Sequence, residues 1–118
     1  MPDSQQQLSG GALNAALANE LGKVVAEFTG RGAERSRAFS HQDLVVCMLE
    51  DSATKSERQL MSGGQSDLVR LQRDALQRLM APQLIEVVER LTCRPVRVFM
   101  SGTDKSGGSS VETFVLDA

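Results

Sequence analysis

The chain contains no Trp and no Tyr, so four Phe are its only aromatics. That absence removes the usual anchors of tight interfaces and the stacking platform that single-stranded nucleic acid needs. Neither sign of charge prevails either. Thirteen Lys and Arg against fifteen Asp and Glu leave a formal net charge of −2, so no broad pull acts toward nucleic acid or an anionic membrane. Apolar runs are short, Leu44 to Leu49 being among the longest, and none could span a bilayer. Met1 to Gly11 is polar and lacks the apolar stretch of a secretory signal. Two cysteines, Cys47 and Cys93, with His41 as the one histidine, make no zinc-ligand spacing. The expectation is two reduced thiols in a cytoplasmic protein, Cys47 buried in a strand, with no metal and no cofactor.

What the chain does have is one pattern written twice. At an offset of 63 positions Leu13 meets Leu76, Leu17 meets Met80, Leu21 meets Leu84 and Val24-Val25 meets Val87-Val88. Phe28 then meets Leu91, Thr29 meets Thr92 and Arg31 meets Arg94. Each stretch leads into a strand-like segment with Arg-x-Phe (Arg37-Ala38-Phe39; Arg97-Val98-Phe99). Each also leads to a second one ending apolar-Leu-acid (Met48-Leu49-Glu50; Val115-Leu116-Asp117).

At 118 residues the chain is one domain, long enough to bury a core without disulfide or metal. Residues 1–11 read as a mobile tail and residues 12–118 as the domain, with an internal repeat over 12–50 and 66–118. Helical spacing of Leu13, Ala16, Leu17, Leu21, Val24, Val25 and Phe28 predicts an amphipathic helix ended by Gly30. A short strand, Arg35 to Phe39, leads through turn residues Ser40 to Asp43 into the unbroken apolar run Leu44–Leu49. Such a run predicts a strand covered on both faces. Helices would cover one, and a second copy of the chain is the simplest cover for the other.

Thr54 with Glu57 is a capping box opening a short helix, Lys55 to Ser62. Ser66 is expected to cap a long helix with apolar positions Leu68, Leu71, Ala75, Leu76, Leu79, Met80, Leu84, Val87, Val88 and Leu91. Pro82 inside it predicts a kink near Met80–Pro82, or two helices meeting there. Val96 to Ser101 and Ser110 to Leu116 read as strands around a Gly/Ser-rich loop. The fold class that follows is α+β. Two pseudo-duplicated helix–β-hairpin units would share a four-stranded, mainly antiparallel sheet, with the long helices packed on one face.

Five arginines draw attention: Arg31, Arg35 and Arg37 after the first helix, Arg94 and Arg97 after the long one. Guanidinium groups suit bidentate recognition of carboxylate, phosphate or carbonate-like anions. They equally suit the electronegative C-terminal ends of helices. An anion site built from all five would require them to face one cleft. His41 beside Asp43 could serve acid–base chemistry, but no nucleophile or metal cluster accompanies the pair. The glycine pairs match neither phosphate-loop nor dinucleotide patterns, and Met48, Met61, Met80 and Met100 read as adaptable core filler.

Gly30-Arg31-Gly32, Asp43 to Glu50, Asp67-Leu68-Val69-Arg70, Leu91-Thr92-Cys93-Arg94-Pro95-Val96 and Phe114-Val115-Leu116 occur in an order that resembles the MpsC family of small bacterial domains. The chain departs from that pattern at Cys93, where Gly is frequent, and at Ala33, where Pro is common. The resemblance implies a cytoplasmic accessory protein of a sodium-translocating, membrane-potential-generating system. The membrane components of that system resemble inorganic-carbon transporters. No catalytic residue carries over. The function expected is therefore a non-enzymatic interaction protein, a homodimer reaching the membrane through a transporter subunit. Binding to nucleic acid and direct membrane insertion are not expected. The alternative is a small-anion or nucleotide sensor using the arginine cluster.

Overall fold

The computed structural model describes residues 8–118. Its elements are α1 (Gly10–Thr29), β1 (Arg35–His41), β2 (Leu44–Glu50), α2 (Lys55–Ser62), α3 (Ser66–Thr92), β3 (Val96–Thr103) and β4 (Ser110–Leu116). The fold class is α+β, with four antiparallel strands in the order β1-β2-β4-β3. β2 and β4 therefore lie at the centre and β1 and β3 at the edges. Of the tail read over residues 1–11, residues 1–7 lie outside the described residues, while Gly10 and Gly11 already belong to α1.

Helix α1 buries Leu17, Leu21, Val24 and Val25, and ends at Gly30, whose φ of 83° only glycine adopts without strain. α3 buries Met80, Leu84, Val87 and Val88 against the same core. The sheet contributes Ala38, Val45, Cys47, Leu49, Phe114 and Leu116. Each of these strand residues sits on the helix-facing side by the period-two rule. The two helix ends are built alike. Thr29 Oγ1 donates to the Val25 carbonyl at 2.9 Å, and Thr92 Oγ1 to the Val88 carbonyl at 2.7 Å.

Several expectations need correction. α3 runs as one helix through Pro82 rather than as two. Pro82 is exposed, so water can take the carbonyl that loses its donor. Ser66 does not cap α3: it is the first helical residue, preceded by Gln65, and no side-chain cap bond forms. Ser40 and His41 belong to β1, leaving Gln42 and Asp43 as a two-residue turn with Gln42 at φ 54°. The Thr54–Glu57 capping box is present as read.

The matched Arg-x-Phe motifs do not occupy matched places. Phe99 points inward onto Phe114 with ring centroids 5.1 Å apart, whereas Phe39 points outward and is 56% exposed. The cause is a β-bulge between Val96 and Val98 that shifts β3 by one residue. By register the counterpart of Phe39 is Met100, since the row across the sheet runs Phe39–Val46–Thr113–Met100.

The helices cover one face of β2, as expected: Val45, Cys47 and Leu49 are buried, while on the other face Leu44 is exposed and Val46 and Met48 are half-buried. The largest correction concerns α3. In the first half of α3, Leu68, Leu71 and Leu79, read as core, are exposed instead. Val69, Arg73 and Gln77 take the inward places.

Candidate functional site

The five arginines do not converge. Antiparallel pairing sets Arg35 opposite Glu50 at one end of the sheet and Leu44 opposite Val115 at the other. Arg31, Arg35 and Arg37 gather at the first end, Arg94 and Arg97 at the second. Each has a partner within the chain. Arg31 donates to the Asp51 and Ala53 carbonyls, tying the end of α1 to the segment after β2. Arg94 donates to the Asp117 carbonyl at 2.8 Å and to the Gln42 carbonyl at 2.9 Å, tying the end of α3 to the β1–β2 turn. Arg37 pairs with Glu50 at 3.0 Å, a contact of charge more than an aligned hydrogen bond. Arg35 approaches the same carboxylate at 4.0 Å, and Arg97 reaches Asp117 at 3.5 Å. A single anion cleft made of all five is not what this arrangement builds.

His41 precedes the tight turn and Asp43 is its second residue, both exposed. Cys47 is buried and free, whereas Cys93 is exposed and free. Burial, aided by the charge of Glu112 across the β2–β4 pair, pushes the Cys47 thiol up to about 12, so it stays protonated.

A buried polar network was not foreseen from the sequence. Arg73 donates from Nε and Nη2 to Glu57 at 3.1 and 2.6 Å, and to the hydroxyl and carbonyl of Ser52. Both Arg73 and Glu57 are almost wholly buried. Burial pushes the Glu57 carboxyl up, but the bonds from Arg73 and Thr54 outweigh it and hold the group below its ordinary range. Glu112, on the helix side of β4, accepts from Ser101 Oγ at 2.6 Å and Gln77 Nε2 at 3.3 Å. Here burial prevails over those bonds and over Arg73, and the carboxyl is pushed up to about 7. Ser101 is exposed and, with Gln77, lines a cleft of about 470 Å³ between α3 and β3, which also borders Asp74, Arg78 and Phe99. Glu112 thus has a link to solvent despite its burial.

Two signals in the sequence point to this network. In Ser110-Val-Glu-Thr-Phe-Val-Leu116, period-two alternation puts Glu112 on the face of Phe114 and Leu116. On α3, Arg73 and Gln77 share helical spacing with Val69, Met80 and Leu84.

The side of the sheet away from the helices is open. Across three rows it presents His41–Leu44–Val115–Val98, Phe39–Val46–Thr113–Met100 and Arg37–Met48–Val111–Gly102. Phe39 and Met100 are each 56% exposed and Leu44 is 42% exposed. Arg37, the one guanidinium in these rows, is neutralised by Glu50 at the rim.

The family model described as "Na+-translocating membrane potential-generating system (MpsC)" matches residues 9–118, essentially the whole chain. The chain belongs to the MpsC family. No curated protein and no solved structure matches it. Among the described residues of this MpsC chain, no helix is long and apolar enough to cross a membrane.

Proposed function

We propose that the protein is a non-enzymatic accessory component of the sodium-translocating, membrane-potential-generating system that gives its family its name. It would work in the cytoplasm, docked on a membrane subunit through the open sheet face. The observation that carries this reading is that face, eight apolar side chains (Phe39, Leu44, Val46, Met48, Val98, Met100, Val111, Val115) with its one guanidinium, Arg37, paired to Glu50. Its partner would present an apolar, weakly charged surface, because a fixed charge would be desolvated there without compensation. The description of the family, a Na+-translocating membrane potential-generating system, supports a membrane-embedded subunit as that partner. Affinity capture from native membranes tests the reading. The tagged chain should recover an integral membrane subunit, and the Phe39→Asp/Met100→Asp variant should not. Recovery of no membrane subunit by the wild-type chain, under conditions that preserve complexes, would overturn it.

A further inference from the structure

The exposed leucines of α3 form a pattern of their own. At 100° per residue, Leu68, Leu71, Ala75, Leu79 and Pro82 fall within an arc of about 80°, nearly opposite the buried Val69, Arg73, Gln77, Met80 and Leu84. Leu71 and Leu79 are each 66% exposed and Leu68 51%. Beside this stripe stand Asp74 and Arg78. Although one turn apart, they form no ion pair with each other. Of the ten arginines, Arg78 alone has no hydrogen bond or ion pair within the described residues.

We propose that this stripe is the contact with a second copy of the chain, the two α3 helices crossing antiparallel at Ala75. A twofold axis there sets Leu71 against the second copy's Leu79, and Leu68 against its Pro82. The small Ala75 side chains meet at the crossing, where the helix axes come closest. The same operation brings Asp74 to the second copy's Arg78 and Arg78 to its Asp74, so both unpaired charges find opposite partners. A parallel arrangement would carry the second copy's Asp74 and Arg78 to the opposite flank of the helix pair, where neither would meet its partner. The open sheet face offers no such self-match, because the charge of Arg37 is already paired with that of Glu50. The contact is isologous, so it closes at two copies and leaves both sheet faces free.

Sedimentation of the purified full chain over a concentration series tests the proposal. The wild-type chain should dimerise reversibly. Leu71→Glu with Leu79→Glu should weaken association by at least about tenfold, and both sites are exposed, so circular dichroism should report an unchanged fold. Asp74→Arg alone and Arg78→Asp alone should each weaken the dimer. The double exchange Asp74→Arg/Arg78→Asp should restore it, which a merely structural role would not predict. The Phe39→Asp/Met100→Asp variant should dimerise as the wild type does. A monomer at every concentration would overturn the proposal, as would a dimer lost only in the sheet variant or a double exchange that fails to restore it. Purified chain suffices for this measurement, so its failure leaves the membrane-docking reading standing, and the reverse holds too.

Discussion

Glu112 is the residue whose chemistry the fold alters most. Its carboxyl lies almost wholly buried with a pKa of about 7 against an ordinary 4.5, because burial disfavours the charged form. The native chain therefore holds that proton more tightly than the unfolded one. Its contribution to stability is full below about 4.5 and is lost as pH rises through about 7. The difference is on the order of 3 kcal/mol. Denaturant unfolding at a series of pH values should show Glu112→Gln free of this loss between those limits and more stable than the wild type at pH 8. An unchanged slope would refute the assignment. Cys93 carries a second prediction. It sits at φ 58° where the helix ends, and a side chain in that region is strained. Cys93→Gly should stabilise the chain by about 1 kcal/mol in the same assay. The family resemblance marked this position in the sequence, since Gly is frequent there. That a left-handed turn is the reason could be seen only once the backbone was placed.

At the scale of elements, the periods in the sequence located every helix and strand, and they failed on which side of the first half of α3 is the inside. Leu68, Leu71 and Leu79 outrank Arg73 and Gln77 on any hydropathy scale, so a pattern of apolar residues selects the wrong face. The true face is decided by tertiary partners: Ser52 and Glu57, brought by the segment after β2 and by α2, and Glu112 from β4. None of these is a local neighbour of Arg73 or Gln77. The Glu57–Arg73 pair binds α2 to α3, and its worth lies in the pairing rather than in either charge. Arg73→Met should destabilise by about 3–5 kcal/mol because it leaves a carboxylate buried without its cation. Adding Glu57→Leu should recover most of that loss, since burying neither charge avoids both desolvation penalties. Thermal unfolding of the two variants checks this. A double variant no better than the single one would show that the network acts through Ser52 instead.

At the scale of the molecule, one layer of helices covers one side of a four-stranded sheet and leaves the other bare. The unbroken apolar run of β2 was legible as a strand with two apolar faces. That no element among the described residues packs on the second face became visible only with the strands in place. The arginines illustrate the same limit. Five of them flank strand ends in the sequence, but antiparallel pairing separates them to opposite ends of the sheet, where carbonyls and carboxylates of the chain itself engage them. The exposed large apolar side chains lie chiefly on two surfaces, one on the sheet and one on α3. The most direct test of the docking account is the accessibility of one atom on the bare face. In a Cys93→Gly background, Met100→Cys places a reactive thiol in the central row, while buried Cys47 stays inert. Detergent-solubilised membranes from the native organism should slow its alkylation by at least about tenfold, the protection expected when a partner buries the face. An alkylation rate unchanged by those membranes would contradict the account.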